Sequence, residues 1–263
     1  MSYETLLIER EGGLTWCTLN RPDSLNAMNP QLVDDLRDFF GGLPDDRETR
    51  VVVLRGNGRA FCAGLDLKEP QDVTGGVPQG LRMQRHISEL VLLMRRAPQP
   101  FIACVHGAAC GGGFSLALAS DVRIAGESAR MNAAFIRIGL SACDVGSSYF
   151  LPRLVGASVA SELLLTGRFI EAERALQTGL VSAVVPDAEL PKAAREIAEE
   201  MLATTPLGLR LTKECLNASI DAASLDSVIA MEDRNQILAA QSKDFREGMT
   251  AFMQKRKPAY SDE

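Results

Sequence analysis

A chain of 263 residues, 46% hydrophobic and 24% charged, is long enough to bury a large core and has ordinary globular composition. Lys and Arg number 28 against 34 Asp and Glu, and a net charge of -6 argues against a nucleic-acid binder, whose affinity rests on clustered cations. Six cysteines form no C-x-x-C pair and stand beside only two histidines, so no metal site is expected and the cysteines read as thiols in a reducing cytoplasm.

The first residues, MSYETLLIER, carry no basic-apolar-cleavable pattern, and no apolar run reaches membrane-spanning length. A cytoplasmic protein without membrane or nucleic-acid partners is the expectation. TLLIER and LTWCTLN predict two strands around a turn at Glu11-Gly12-Gly13. Asn29 can cap a helix with Pro30 at its first position. Leu32, Val33, Leu36, Phe39 and Phe40 share one face, and Gly41-Gly42 stops it. RVVVLRG predicts a strand buried on both faces. In GRAFCAGLDLKEP, Ala63-Gly64 stand before what reads as a short helical segment, and 69–80 (EPQDVTGGVPQG) reads as a surface loop.

PFIACVHG predicts the next strand and leads into HGAACGGGFSLALASD, where Gly111 to Gly113 open a run that is helical from Phe114 to Ala119. DVRIAG and LVSAVVP are further strands, separated by helical stretches. Such alternation predicts an α/β architecture with parallel pairing, although no sequence period is visible. From about Asp187 the strands stop. Four helical stretches, at 188–203, 206–220, 224–240 and 243–257, read as a separate layer and an oligomerisation arm. In the last, Phe245, Met249, Phe252 and Met253 follow a helical spacing.

Glycine inside a helix is unfavourable, but at a helix entrance it bares backbone N–H groups and admits another molecule. Two turns, at Ala63-Gly64 and at Gly111–Gly113, could each aim a donor at one oxygen and so form an oxyanion hole. The other reading is that the glycines only allow a helix to pack closely on a strand. Neither a P-loop nor a dinucleotide fingerprint is present, since GAACGGG lacks both the Lys-Ser/Thr ending and the G-x-G-x-x-G order.

Six segments in order, LNRPDSLNAMN, GRAFCAGLDLKE, VHGAACGGGFSLALASDVRIA, LPRLVG, ALQTGLVSAVV and EGMTAFMQKRKP, resemble the enoyl-CoA hydratase/isomerase (crotonase) family almost end to end. The resemblance implies an α/β fold, a crotonase-like spiral of β-β-α units. An acyl-CoA-binding catalytic core would span 1–200, and a C-terminal helical trimerisation region 201–263. It implies an acyl-coenzyme A thioester as substrate, with coenzyme A arriving as part of it rather than as a resident cofactor, and a homotrimer or dimer of trimers. The backbone N–H groups of Leu65 and Gly112 would hold the enolate oxygen. Leu25 and Ala27, with Ala63, Leu65, Asp66 and Lys68, would contact the coenzyme. Phe252 and Lys255 would reach it from the C-terminal helix, Lys255 from a neighbouring subunit. Leu25 stands where many relatives carry a basic residue.

Hydration needs water activated against C3 and a proton delivered to C2, work the family's hydratases divide between two glutamates. Here Ser115 and Phe135 stand at those positions. One acid, Asp144, falls where relatives that isomerise dienoyl thioesters or dehalogenate aryl ones carry an aspartate; its other reading is a helix cap. The sequence therefore points to isomerisation or hydration through Asp144. Hydrolysis or dehalogenation with Asp144 as nucleophile, or a non-catalytic acyl-CoA-binding relative, are the alternatives. His86 and His106 read as packed or structural. Glu69, Asp72, Arg82 and Arg85 are further polar side chains within reach of the acyl pocket, which residues 69–95 and the FIRIGLSACD turn would line.

Overall fold

The computed structural model describes residues 3–68 and 76–262. β1 (Leu6–Glu11) and β2 (Leu14–Leu19) form an antiparallel hairpin with Leu6 opposite Leu19. α1 (Pro30–Gly42) follows, and the Asn29 side chain caps it by accepting the Leu32 N–H at 3.0 Å. Next come β3 (Val51–Gly56), α2 (Gly76–Arg96), β4 (Phe101–Val105), β5 (Ala108–Cys110) and α3 (Gly112–Ala119). The chain continues through β6 (Val122–Gly126), β7 (Arg130–Asn132), α4 (Ser147–Thr166), β8 (Ile170–Glu171), α5 (Ala172–Gln177) and β9 (Ala183–Val185). It ends in α6 (Leu190–Leu202), α7 (Pro206–Ser219), α8 (Leu225–Ala240) and α9 (Lys243–Met253).

Six strands form the main sheet in the order β1-β2-β3-β4-β6-β9, parallel everywhere except between β1 and β2. Three short strands form a second sheet, β5-β7-β8; the residue pattern shows none of them, although the β-β-α units implied by the resemblance require them. A bridge from Cys62 to Ala109 extends that sheet towards the segment after β3. Each of β3, β4 and β6 thus passes from the main sheet to the small one and then into a helix, a β-β-α unit used three times.

The parallel strands are buried on both faces, as a doubly covered sheet requires. Val52 and Leu54 face a cluster built with α1 to α4, whereas Val51 and Val53 face the other side with Trp16, Ile102 and Ile124. That second face is covered by α6 through Leu190, Ala194 and Ala198. α6 therefore belongs to the core and not to a separate helical layer. Beyond it α7 is pinned by Lys213, which donates to Met94 O at 2.9 Å and Gln99 O at 2.7 Å and pairs with Asp121 at 2.9 Å. α8 and α9 leave large apolar side chains exposed, among them Leu225, Ile237, Phe252 and Met253.

Two local expectations are corrected. Residues 65–68 form no helix after Gly64, because Leu65 is drawn into an extended bridge with Met28. Residues 76–80 are the first turn of α2 and not loop.

Candidate active site

The site lies where β3 and β4 end. Met28 N–H donates to Gly64 O at 2.7 Å, and Asp66 N–H to Met28 O at 3.0 Å. These bonds flank Leu65, and in extended chain successive N–H groups point to opposite sides. The Leu65 N–H is thereby turned away from Met28. Gly112 is the first residue of α3, so its N–H has no partner within the helix. Its neighbours are spent elsewhere: Gly111 N–H donates to Asn132 O at 2.9 Å, and Ser115 N–H to Gly111 O at 3.0 Å. Among the described residues neither the Leu65 nor the Gly112 N–H has an acceptor, and both residues line one cavity of about 120 Å³.

The three glycines do three things. Gly111 takes φ +50°, a conformation few side chains tolerate. A Cβ on Gly112 would sit 2.1 Å from the Met28 methyl, on the cavity wall. One on Gly113 would sit 2.2 Å from the Cys62 carbonyl oxygen. Close packing of helix on strand is thus the reason for Gly113, and an open donor is what Gly112 supplies.

Asp144 reaches the same cavity, half-buried among Ile138, Leu140, Phe135 and Ile87. Its Oδ1 accepts Gln84 Nε2–H at 2.5 Å and Val145 N–H at 2.8 Å. Val145 has φ +44° and Gly146 φ +81°. For a β-branched residue such a conformation costs about 1–3 kcal/mol and persists only where the surroundings impose it. Ser147 imposes it here, accepting Asp144 N–H at 3.1 Å and donating to Ala142 O at 2.7 Å. The carboxylate caps no helix, since Gly146 holds the cap position of α4 without a side-chain bond. Desolvation raises the Asp144 pKa above the ordinary carboxylate value, while the Val145 N–H and the Gln84 amide pull it down.

The cavity unites Ala63, Leu65, Gly112 and Asp144. Ser115 stays outside it, fully buried in α3 with a hydroxyl that has no partner among the described residues. Leu25 and Ala27 form the layer behind, Leu25 O accepting Ala63 N–H at 3.0 Å. Asp66 faces inward, paired with Arg21 at 2.9 Å, and Arg21 also donates to Ala27 O, locking the two turns together. Lys68 is exposed just past Leu67, which lines the cavity. Phe252 and Lys255 are exposed at the end of α9 and do not line it. Arg82 and Arg85 are exposed on α2, and Glu69 and Asp72 lie outside the described residues. His86 Nε2 lies 2.6 Å from Asp34 Oδ1, and His106 Nε2 lies 2.9 Å from Gly58 O, so both are occupied away from the cavity. Gln84 was not foreseen. Its one signal is a place three residues before the buried Ile87 on the same helix face.

The family model for enoyl-CoA hydratase/isomerase matches residues 9–263. The chain belongs to the enoyl-CoA hydratase/isomerase family. It is 40% identical to a Mycobacterium tuberculosis protein named probable enoyl-CoA hydratase EchA12, over 94% of this chain and 88% of that one. It is 36% identical to the 1,2-epoxyphenylacetyl-CoA isomerase of Escherichia coli K12, over 98% of each. The crystal structure of an enoyl-CoA hydratase from Bacillus anthracis superposes with a TM-score of 0.93 at 35% identity, covering 99% of this chain and 100% of that one. This hydratase/isomerase-family enzyme therefore has the crotonase fold and acts on coenzyme A thioesters. No helix among the described residues is long and apolar enough to cross a membrane.

Proposed function

We infer that the enzyme isomerises the double bond of an enoyl-CoA, with one carboxylate moving the proton. The observation that carries this reading is that Asp144 is the one acid among the described residues lining a mainly apolar cavity that also holds Leu65 and Gly112. Hydration by the family's two-glutamate route has no counterpart here, since Ser115 is buried away from the cavity and Phe135 is one of its walls. A 1,3-proton shift needs one group. Asp144 takes a proton from C2 of a 3-enoyl thioester, and the C–H electrons move into the thioester to form a dienolate. The dienolate oxygen accepts the N–H groups of Leu65 and Gly112, fixed donors that are each worth about 3–4 kcal/mol in such sites. Asp144 then returns the proton to C4, and the product is the conjugated 2-enoyl thioester. The relative named as an isomerase of a CoA thioester supports this reaction class.

In the same reading the coenzyme lies along Leu25, Ala27, Ala63, Asp66 and Lys68. Phe252 and Lys255 come from a neighbouring copy in a homotrimer or dimer of trimers, built through residues 201–263 on a core of 1–200. Incubating enoyl-CoA thioesters in heavy water tests the chemistry. Wild type is expected to place deuterium at C2 and C4, and Asp144→Asn to place none. Equal incorporation by both removes Asp144 from proton transfer. Release of free acid with ¹⁸O from labelled water entering the Asp144 carboxyl would mark that residue as a nucleophile instead, and binding without exchange or turnover would mark a non-catalytic relative.

A further inference from the structure

The two oxygens of Asp144 are unequal. Oδ1 accepts both available donors, Gln84 Nε2 at 2.5 Å and Val145 N at 2.8 Å, whereas Oδ2 accepts none among the described residues. Gln84 is itself held, because its Nε2 also donates to Ser88 Oγ one turn on at 3.3 Å. It comes from α2, while Asp144 belongs to the turn before α4, so the bond spans the cavity between two elements. Resting on the isomerase reading above, we propose that Gln84 is a positioning residue. Together with the Val145 N–H it anchors Oδ1, so that Oδ2 is the atom that takes the proton from the substrate and returns it.

The chemistry of the donor fits this task. Rotation of the carboxyl about its Cβ–Cγ bond would break both bonds at once, so the plane of the group is fixed before substrate arrives. When Oδ2 carries the proton, Oδ1 remains a carbonyl oxygen and still accepts both N–H groups. The anchor therefore survives the whole catalytic cycle. A neutral amide does this without titrating, whereas a Lys or Arg in its place would hold Asp144 ionised and blunt it as a base. Gln84 also favours the anion over the acid, working against the burial of the carboxyl in the apolar cavity.

The test compares wild type with Gln84→Met, which keeps the volume and removes the donor, and Gln84→Glu, which keeps the shape and reverses the electrostatics. The readout is the pH dependence of enoyl-CoA deuterium exchange and turnover, with Asp144→Asn in parallel and circular dichroism to confirm folding. Gln84→Met is expected to lower kcat about tenfold with little change in KM. It should also move the midpoint of the acidic limb, where exchange rises with pH, upward, and Gln84→Glu should move it further. A lower rate with an unmoved midpoint in both variants would reduce Gln84 to packing and overturn the proposal. If Asp144→Asn exchanges as fast as wild type, the Asp144 reading itself has failed, an outcome separate from any result at Gln84.

Discussion

Asp144 is a carboxyl group on which burial and hydrogen bonding act in opposite directions, with burial prevailing. Its raised pKa has two consequences that can be measured separately. Proton abstraction needs the anion, so exchange into substrate should rise with pH through the raised value and level off above it. Stability runs the other way. A folded-state pKa above the unfolded one gives a contribution that is complete below the unfolded pKa and is lost as pH rises through the folded one. Asp144→Asn should therefore melt higher than wild type at neutral pH and converge with it in acid, as thermal unfolding across pH would report. Identical melting curves at every pH would remove the burial argument. At this scale the sequence was informative about residue identity and silent about orientation. Asp144 could be picked out because it falls where the relatives that the chain resembles carry an aspartate, but Gln84 is one polar residue of a long amphipathic helix. Only the crossing of α2 over the turn before α4 makes it a partner.

The element that decides the site is α3, and its glycines separate packing from function. Gly113→Ala must force the helix away from the Cys62 carbonyl, backbone against backbone, and should destabilise the protein by about 1–3 kcal/mol. Gly112→Ala meets only the terminal methyl of Met28, which can rotate aside, so it should retain more stability yet lose turnover as the new methyl enters the cavity. Denaturant titration beside the exchange assay distinguishes them, and equal destabilisation by both would contradict these separate roles. The segment after Gly64 shows where local reading stops. Leu65-Asp66-Leu67-Lys68 has helix-compatible composition, but the backbone of Met28, nearly forty residues earlier, takes the Asp66 N–H and gives its own to Gly64. That long-range pairing, and not a helix entrance, is what leaves the Leu65 N–H open. Strands of two or three residues such as β5, β7 and β8 are likewise too short to carry a period of their own.

Across the whole molecule, the two faces of the main sheet are satisfied within the chain while the C-terminal helices are not. Phe252 is 83% exposed, Leu225 75% and Met253 71%, on helices that pack only lightly on the rest. The assembly proposed above would cover this apolar surface. Light scattering is expected to give a mass three or six times the 28.4 kDa chain. Phe252→Glu should shift that assembly toward smaller species and raise KM for the CoA thioester more than it lowers kcat. A 28.4 kDa wild-type particle with full activity would overturn the assembly and the role of Phe252 together.

The β1-β2 hairpin, the doubly buried β3, the capped α1 and the glycine-rich entrance of α3 were all legible in the sequence, because each rests on local hydrophobic period, capping or turn chemistry. So was the family, carried by six motifs in order. Tertiary structure alone decided which N–H groups remain open, that α6 closes the sheet, that Asp66 is spent on Arg21, and that Ser115 faces away from the cavity. Those facts depend on which distant backbone or side chain reaches a given atom first, and a one-dimensional pattern holds no record of that competition.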